Sequence, residues 1–209
     1  MLRSHIPAEL AIDTFDGRAW IGIVPFSMRG VRLRWTPPLP RLSAFPELNV
    51  RTYVTAQAKA GVWFFSLDAA SAFGVAAARF SFHLPYFRAR MQSTAMNGWV
   101  HYQSKRTHSE EAPPAVFQAR YQTAGESFEA QRGTLEHFLT ERYCLYSVNA
   151  KRIYRGEIHH PPWQLQQAQA QLTQNSMAEA AGLVLPAAPP LLHFSQRQDM
   201  VAWAPYRIV

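Results

Sequence analysis

Apolar and polar residues alternate with a period of two over most of the chain, and turn signals interrupt the alternation at short intervals. Asp16-Gly17 separates two such runs and Asn97-Gly98 separates two more, and these dipeptides are typical of hairpins between antiparallel strands. Further strands are predicted over 47–55 and 62–67, with a turn near Ala60-Gly61. The pattern therefore predicts a body made mainly of antiparallel β-structure.

Helical signals are fewer than strand signals. Asp68 is a good N-cap for a helix from Ala69 to Phe82, which Pro85 would end. An apolar stripe predicts a second helix from Thr134 to Ser147. A third and shorter one is predicted from Asn175 to Ala181, stopped by Gly182.

The length and composition fit one domain. A chain of 209 residues with 48% apolar content can bury one substantial core, and no repeat or glycine-serine linker divides it. The prolines between Trp35 and Pro46 predict a loop that crosses the surface or covers the mouth of a barrel. We therefore predict a single α+β domain over 1–209 whose last twenty or so residues are loosely held.

Several functional classes lack sequence support. Cys144, the only cysteine, excludes an intramolecular disulfide and fits a small core residue. No apolar run approaches the roughly 18 residues that a membrane span requires, and the N-terminus lacks a signal-peptide pattern, so we expect a cytoplasmic protein without a membrane partner. Glycine-rich phosphate loops, dinucleotide fingerprints and C-x-x-C pairs are absent, so no cofactor is expected.

The chain is basic, with 21 lysines and arginines against 14 acidic residues and a net charge of +7. The only dense basic spot is Lys105-Arg106, which Glu110-Glu111 soon follows. We interpret it as a solvated strand end, because a nucleic-acid surface normally clusters its cations on one face. Nucleic-acid binding is thus a minor alternative, and the sequence leaves homo-oligomer formation open.

Five ordered motifs resemble one family. They are LAIDTFDGRAWIGIVPFSMRGVR, SAFPELNVRTYV, LPYFRAR, LEHFLTERYCLY and RGEIHHPPW, and together they identify the chain as a member of the YqjF-like family of uncharacterised conserved bacterial proteins. Residues 42 to 91 also resemble the active-site segment of the acetoacetate decarboxylase-like superfamily, with Glu47 as the strand glutamate. This resemblance implies an antiparallel, barrel-like sheet with helices packed outside.

The same resemblance implies an interior pocket. Alternation places Glu47, Asn49 and Arg51 on one strand face, which would face water in an edge strand but the interior in the superfamily. Tyr86 and Arg88 share a face of the later strand and would look into the same space. Because a buried guanidinium needs a partner, Arg51 and Arg88 would pair with Glu47 or with a bound anion.

Tyr86 and Phe87 stand where the superfamily has its lysine pair. Neither side chain can form an imine, so the leading hypothesis is a protein that binds a small anionic, oxo-acid-like molecule without Schiff-base chemistry. The alternative is a cofactor-free lyase, isomerase or hydrolase that uses Glu47 as acid/base and Tyr86 to stabilise an enolate oxygen. Lys105 could replace the missing amine only by entering the pocket from another strand.

The segment Gly156 to Trp163 holds a second group of polar residues. His159 is a candidate acid/base and His160 a candidate ligand-binding residue. Glu157 and His159 share a strand face whereas His160 points away, so only two metal ligands converge and no metal site is predicted. The structural alternative is that one histidine hydrogen-bonds the backbone or the segment Glu141 to Tyr143.

Overall fold

Strands carry most of the fold in a computed structural model, which describes residues 2–31, 44–71, 79, 81–107 and 112–209. The strands are β1 (Ala11–Ile12), β2 (Ile21–Met28), β3 (Phe45–Ala56), β4 (Lys59–Ala69), β5 (Tyr86–Met96), β6 (Trp99–Arg106), β7 (Val116–Glu129), β8 (Cys144–Asn149), β9 (Arg152–His159), β10 (Gln164–Asn175), β11 (His193–Phe194), β12 (Val201–Ala202) and β13 (Tyr206–Arg207). The helices are a 3-10 turn (Leu2–His5), α1 (Leu135–Thr140) and α2 (Met177–Ala180). None of the helices within the described residues has the length and apolarity that a membrane crossing requires.

Strand β4 is the branch point of the sheet. One edge pairs antiparallel with β3, whereas the other pairs in parallel with β8 at Val62–Trp63 and with β5 at Leu67–Ala69. One branch continues through β5, β6, β7 and β10 to β11, and the other through β8 and β9 to β12 and β13. The pairings of the described strands do not close into a ring, so the barrel-like form, with helices packed outside it, stays a prediction.

Both predicted hairpin turns are present, but only one joins paired strands. Asn97 and Gly98 have φ of +52° and +80° in the turn between β5 and β6, which pair along their length. Asp16 and Gly17 also form a turn, but only one isolated bridge, between Phe15 and Arg18, closes it. The strands β1 and β2 beyond it both pair with β3, because they cover consecutive parts of the same edge of that buried strand.

The predicted turn near Ala60-Gly61 is wrong by about three residues. The chain reverses at Gln57 and Ala58, which have φ of +49° and +57°, and β4 already begins at Lys59. Gly61 lies within β4 and not in the turn. A Cβ at this position would lie 2.6 Å from both the carbonyl oxygen and Sγ of Cys144. The glycine therefore permits the close approach of β8 to β4.

The second predicted helix is right only in its first half. The Thr134 side chain accepts a hydrogen bond from the His137 amide and starts α1, which ends at Thr140. Residues 144–149 then form strand β8, and the first four of them are buried between β4 and β9. A helix would bury only one side of this segment, whereas a central strand buries both, which the apolar pattern alone could not distinguish.

The other helices are partly confirmed. Helix α2 lies within the predicted Asn175 to Ala181 segment and is followed by Gly182 at φ of +72°. The helix predicted from Ala69 to Phe82 falls mostly outside the described residues, although Ser81 and Phe82 are helical and Ala69 is the last residue of β4.

The core surrounds β3, which is buried on both faces. Leu48 and Val50 point into one cluster with Tyr102, whereas Tyr53 points into another with Leu67. This alternation confirms that the odd-numbered residues of β3 share a face. The C-terminal tail adds three two-residue strands, which pair with β10 and β9.

Candidate functional site

The centre of the candidate site is a contact between β3 and β5. The Tyr86 hydroxyl lies 3.1 Å from both carboxyl oxygens of Glu47 and can donate its hydrogen bond to either. Strand β4 lies between the strands of the two residues and sets their relative position. Glu47 pairs with Ala69 of β4, and Tyr86 pairs with Leu67. The two side chains that sequence analysis assigned to one pocket therefore meet.

Burial gives the Glu47 carboxyl unusual acid-base properties. The residue is only 3% exposed, and loss of hydration raises its pKa to about 8, against the opposing effect of the Tyr86 hydrogen bond. No ion pair reaches it from any described cation, so the expected pairing with Arg51 or Arg88 is wrong. At neutral pH this carboxyl is therefore largely protonated and uncharged.

Two more polar residues lie along the same face of β3. Asn49 is 5% exposed and Arg51 is half-buried. Among the described residues, neither Asn49 Oδ1 nor Arg51 Nε has a hydrogen-bond partner, and Arg51 Nη2 makes only a 3.4 Å contact to the Leu139 carbonyl. Because an unpaired buried polar group costs about 1 to 3 kcal/mol, a hydrogen-bond partner for either atom would be stabilising.

Helix α1 and strand β2 shape the surroundings of Arg51. The Phe138 ring lies 5.2 Å from that of Tyr53, so α1 covers this end of the face. On β2, Gly22 opposes Arg51, and a Cβ there would meet Arg51 Cγ at 3.4 Å. A side chain at position 22 would thus be in van der Waals contact with the Arg51 side chain, which lies against β2.

Two buried residues of β6 support the site, and sequence analysis did not select them for it. The Tyr102 hydroxyl donates to the Glu47 carbonyl at 2.6 Å. Arg106 Nε and Nη2 donate to the two Asp68 carboxyl oxygens at 3.0 and 2.7 Å. The sequence did contain a signal that could have identified these two residues. Tyr102, Ser104 and Arg106 alternate along β6, and strand alternation puts all three on the same, buried face.

The prediction that Lys105-Arg106 is a solvated strand end is wrong for Arg106. It is only 8% exposed and its guanidinium lies 3.9 Å from the centre of the Phe87 ring, so Lys105-Arg106 is not a solvated strand end. Only Lys105, on the opposite face of β6, is exposed.

The position of Arg88 also differs from the predicted one. It is exposed, whereas the next residue, Ala89, is buried. The expectation that Arg88 looks into the same interior as Tyr86 is therefore wrong. Tyr86 is the first residue of β5 and packs with the cluster of Tyr53. Further along the strand, Ala89 is buried and Met91 packs against the cluster of Leu48 and Val50.

The histidine pair lies at the end of β9, away from the contacts of Glu47. His159 is exposed, while His160 is buried and stacks on Tyr143 at 4.6 Å. The His160 ring nitrogens lie 2.9 and 3.2 Å from the carbonyl oxygens of Pro161 and Arg142. These contacts confirm the structural alternative for His160 and do not bring either histidine to Glu47.

No metal centre forms in the part of the chain that the structure describes, where no three His, Cys, Asp or Glu side chains converge. The three lysines lie at the surface. Lys59 forms an ion pair with Glu157, and Lys105 and Lys151 are exposed.

Known proteins resemble the chain in fold and in sequence. An acetoacetate decarboxylase from Legionella pneumophila subsp. pneumophila str. Philadelphia 1 superposes with a TM-score of 0.67 and 11% identity, over 100% of this chain and 79% of that one. Another acetoacetate decarboxylase structure gives a TM-score of 0.63 and 11% identity, over 99% of this chain and 81% of that one. At this identity the likeness establishes the acetoacetate decarboxylase-like fold and nothing about activity.

The sequence comparison is closer. The uncharacterized protein YqjF of Bacillus subtilis (strain 168) is 43% identical over 203 residues, which cover 97% of this chain and 83% of that protein. Residues 1–199 match the DUF2071 family, described as uncharacterized conserved protein. The chain belongs to the DUF2071 family.

Proposed function

We propose that this protein binds a small anionic, oxo-acid-like molecule on the face of β3 that carries Glu47, Asn49 and Arg51, without Schiff-base chemistry. The observation that carries the proposal is that two buried atoms two residues apart on β3, Asn49 Oδ1 and Arg51 Nε, have no hydrogen-bond partner among the described residues. A ligand carboxylate would accept from the guanidinium, and a ligand hydroxyl or enol would donate to the Asn49 carbonyl.

The charge of this face supports an anion. Arg51 brings a permanent positive charge, since arginine stays protonated, whereas Glu47 with a pKa of about 8 is mostly neutral near pH 7. Its protonated carboxyl can donate a hydrogen bond to an anionic oxygen instead of repelling it. The oxo-acid class itself comes by analogy from the acetoacetate decarboxylases of the same fold.

The absence of Schiff-base chemistry rests on Tyr86. Its hydroxyl contacts Glu47, in the position that the family resemblance gives to a lysine, and a phenol cannot form an imine. The nearest amines in sequence, Lys59 and Lys105, lie at the surface.

A matched pair of arginine variants tests the binding proposal. Native mass spectrometry of the purified protein identifies candidate anions, and pyruvate is titrated as a defined probe by calorimetry. Replacing Arg51 with Met should weaken anion binding by about 10- to 150-fold, the worth of a charge-assisted hydrogen bond. Replacing the exposed Arg88 with Met makes the same change in net charge and should leave the affinity within about twofold. Equal losses in both variants would contradict a specific role for Arg51.

A second candidate function is acid/base catalysis by Glu47. The specific observation is its pKa of about 8, which lies close to the pH at which a carboxyl exchanges protons most effectively with a bound substrate. Deuterium exchange at carbon in acetoacetate, followed by NMR, would report enolisation. An enzyme should lose about 10²-fold or more on Glu47→Gln, whereas a binding protein should retain its anion affinity in that variant.

A further inference from the structure

The branch of the sheet made by β5, β6 and β7 has a polar outer surface that the Glu47 site does not use. Side chains along these strands alternate between two faces, and the inward ones, such as Tyr102 and Phe117, belong to a buried hydrophobic cluster. The side chains that point the other way are exposed, or half-buried in the case of His101. We call the central ones the outer face: Arg90, Gln92, His101, Gln103, Lys105, Gln118 and Arg120.

Two pairs of basic residues lie directly opposite each other on the outer face. Arg90 of β5 is in register with Lys105 of β6, and His101 of β6 is in register with Arg120 of β7. Directly opposed side chains have Cβ atoms about 4.5 to 5.5 Å apart, and like charges in this arrangement destabilise a sheet. Neither Arg90 nor Lys105 forms an ion pair with any described carboxylate. A bound anion would therefore relieve their repulsion.

Carboxylates are scarce on this branch of the sheet. Strands β5, β6 and β10 contain no Asp or Glu, and β7 contains only Glu126 and Glu129. Both follow Gly125 in the chain, and the nearer one is about 20 Å along the strand from Arg120. The net charge of +7 is therefore unevenly distributed, and the outer face attracts anions.

A row of three amides lies between the two basic pairs. Gln92 is in register with Gln103, and Gln103 is in register with Gln118. Residues two apart in a strand are about 6.6 to 6.8 Å apart along it, so a basic pair flanks this amide row at about that distance on each side. No described residue hydrogen-bonds these three side-chain amides, whereas the neighbouring Gln122 bonds Gln169. The amide row can therefore both donate to and accept from a partner.

The Arg120 side chain is held in position on the outer face. Its guanidinium carbon lies 4.7 Å from the centre of the Trp99 ring, and its Nε donates to Gln171 Oε1 at 2.8 Å. Neither terminal nitrogen donates to a described acceptor, so both can donate to a phosphate group. Because the contacts to Trp99 and Gln171 already restrict the side chain, little conformational entropy would be lost on binding.

We propose that the outer face binds single-stranded nucleic acid. Arg90, Lys105 and Arg120 neutralise backbone phosphates, and the amide row hydrogen-bonds the edges of unpaired bases. A nucleic-acid strand supplies both the anions that the basic pairs lack and the mixed donors and acceptors that amides match. In a duplex the base edges lie inside grooves, which a flat sheet of several strands does not enter. A membrane surface would favour apolar side chains between the cations, where this face has amides.

Four probes test the class of partner. The first is a fluorescein-labelled oligouridylate of about 12 nucleotides, within the range of about 4 to 16 that single-strand binding folds cover. Fluorescence anisotropy reports its binding. The unlabelled competitors are an oligoadenylate–oligouridylate duplex, heparin and vesicles that contain phosphatidylserine. At equal concentration of anionic groups, unlabelled oligouridylate should displace the labelled strand more effectively than any of the three.

A matched pair of lysine variants tests the phosphate contacts. Lys105→Gln should reduce the slope of log K against log salt concentration by about 0.7, and should weaken binding roughly fivefold near 0.1 M salt. Lys151→Gln makes the same change in net charge at an exposed position between β8 and β9. It should leave both the slope and the affinity unchanged.

A matched pair of glutamine variants tests the base contacts. Gln103→Met keeps the length and charge of the side chain but removes the amide, so the affinity should fall about 3- to 10-fold with an unchanged salt slope. Gln131→Met makes the same change at an exposed position before α1 and should have no effect. All four substituted side chains are exposed, so the variants should unfold at temperatures close to that of the natural protein.

Each comparison has an outcome that would overturn the proposal. A lack of oligouridylate binding would do so, and equal affinities of Lys105→Gln and Lys151→Gln would show that the strand does not bind on the outer face. Equal affinities of Gln103→Met and Gln131→Met would show that the face attracts anions by charge alone. Stronger competition by the duplex, heparin or vesicles would assign the face to that other class of partner.

Discussion

The Tyr86 hydroxyl lies 3.1 Å from each carboxyl oxygen of Glu47, although 38 residues separate the two in the chain. Strand β4 sets this distance, because Glu47 is in register with Ala69 on one of its edges and Tyr86 with Leu67 on the other. A shift of one residue on either edge would turn one of the side chains to the opposite face of the sheet. The contact therefore depends on two strand registers, and it gives Glu47 a buried neutral partner.

Glu47→Gln should change how stability depends on pH. Burial raises the Glu47 pKa from about 4.5 to about 8, so the folded protein holds a proton that the unfolded chain releases between these values. The free energy of unfolding should accordingly fall as pH rises through this window, by roughly 3 to 5 kcal/mol in total. The glutamine variant lacks the titration and should lose this part of the pH dependence. Urea unfolding from about pH 5 to pH 9 measures both proteins, and parallel curves would contradict the raised pKa.

Tyr86→Phe should raise the pKa of Glu47 further. The tyrosine hydroxyl donates to the carboxyl and favours its charged form, whereas burial acts in the opposite direction and is the larger effect. Titration of the carboxyl carbon by NMR, assigned by comparison with Glu47→Gln, reports the change. Tyr143→Phe is the control, because that hydroxyl bonds Glu141 instead. A lower Glu47 pKa in Tyr86→Phe would show that the hydroxyl does not stabilise the carboxylate.

Arg106→Met should destabilise the fold strongly. It removes a bidentate partner from Asp68, whose side chain is fully buried, and breaking a buried ion pair on one side costs about 3 to 5 kcal/mol. Lys105→Met is the matched control, since its side chain is exposed on the other face of β6 and such changes alter stability by about 0.5 kcal/mol or less. Chemical unfolding at neutral pH compares them. Similar losses in both variants would mean that the Asp68 pair contributes little.

Borohydride in the presence of acetoacetate or pyruvate should leave the mass of the protein unchanged. Imine formation needs an amine with a lowered pKa, and the three lysines of the chain lie at the surface instead of beside Glu47. Intact mass spectrometry detects any trapped adduct. Tyr86→Lys serves as the gain-of-function comparison, because it puts an amine against the buried carboxyl. A stable adduct on Lys59, Lys105 or Lys151 of the natural sequence would refute the proposed chemistry.

Local patterns in the sequence predict a substantial part of this molecule. Alternation along β3 correctly groups Glu47, Asn49 and Arg51 on one face, because side-chain direction in a strand follows residue parity alone. Asn97-Gly98 correctly predicts a hairpin, because its backbone favours the left-handed conformation that a tight turn needs. These features depend on neighbouring residues, and any fold that keeps the strands keeps them.

The failures concern positions whose state depends on distant strands. Residues 144–147 form a strand because β4 and β9 lie on either side of them, which their own apolar pattern does not encode. Arg88 and Arg106 look alike in sequence, yet one is exposed and the other is buried against Asp68.

The sequence by itself therefore determined the family, the strand-rich composition and the polar face of β3. Tertiary structure decided which charged groups are buried, how far the Glu47 pKa rises, and where the sheet divides. The physical reason is that dehydration and ion pairing depend on groups brought together from separate parts of the chain, whereas side-chain alternation and turn formation depend on the local backbone.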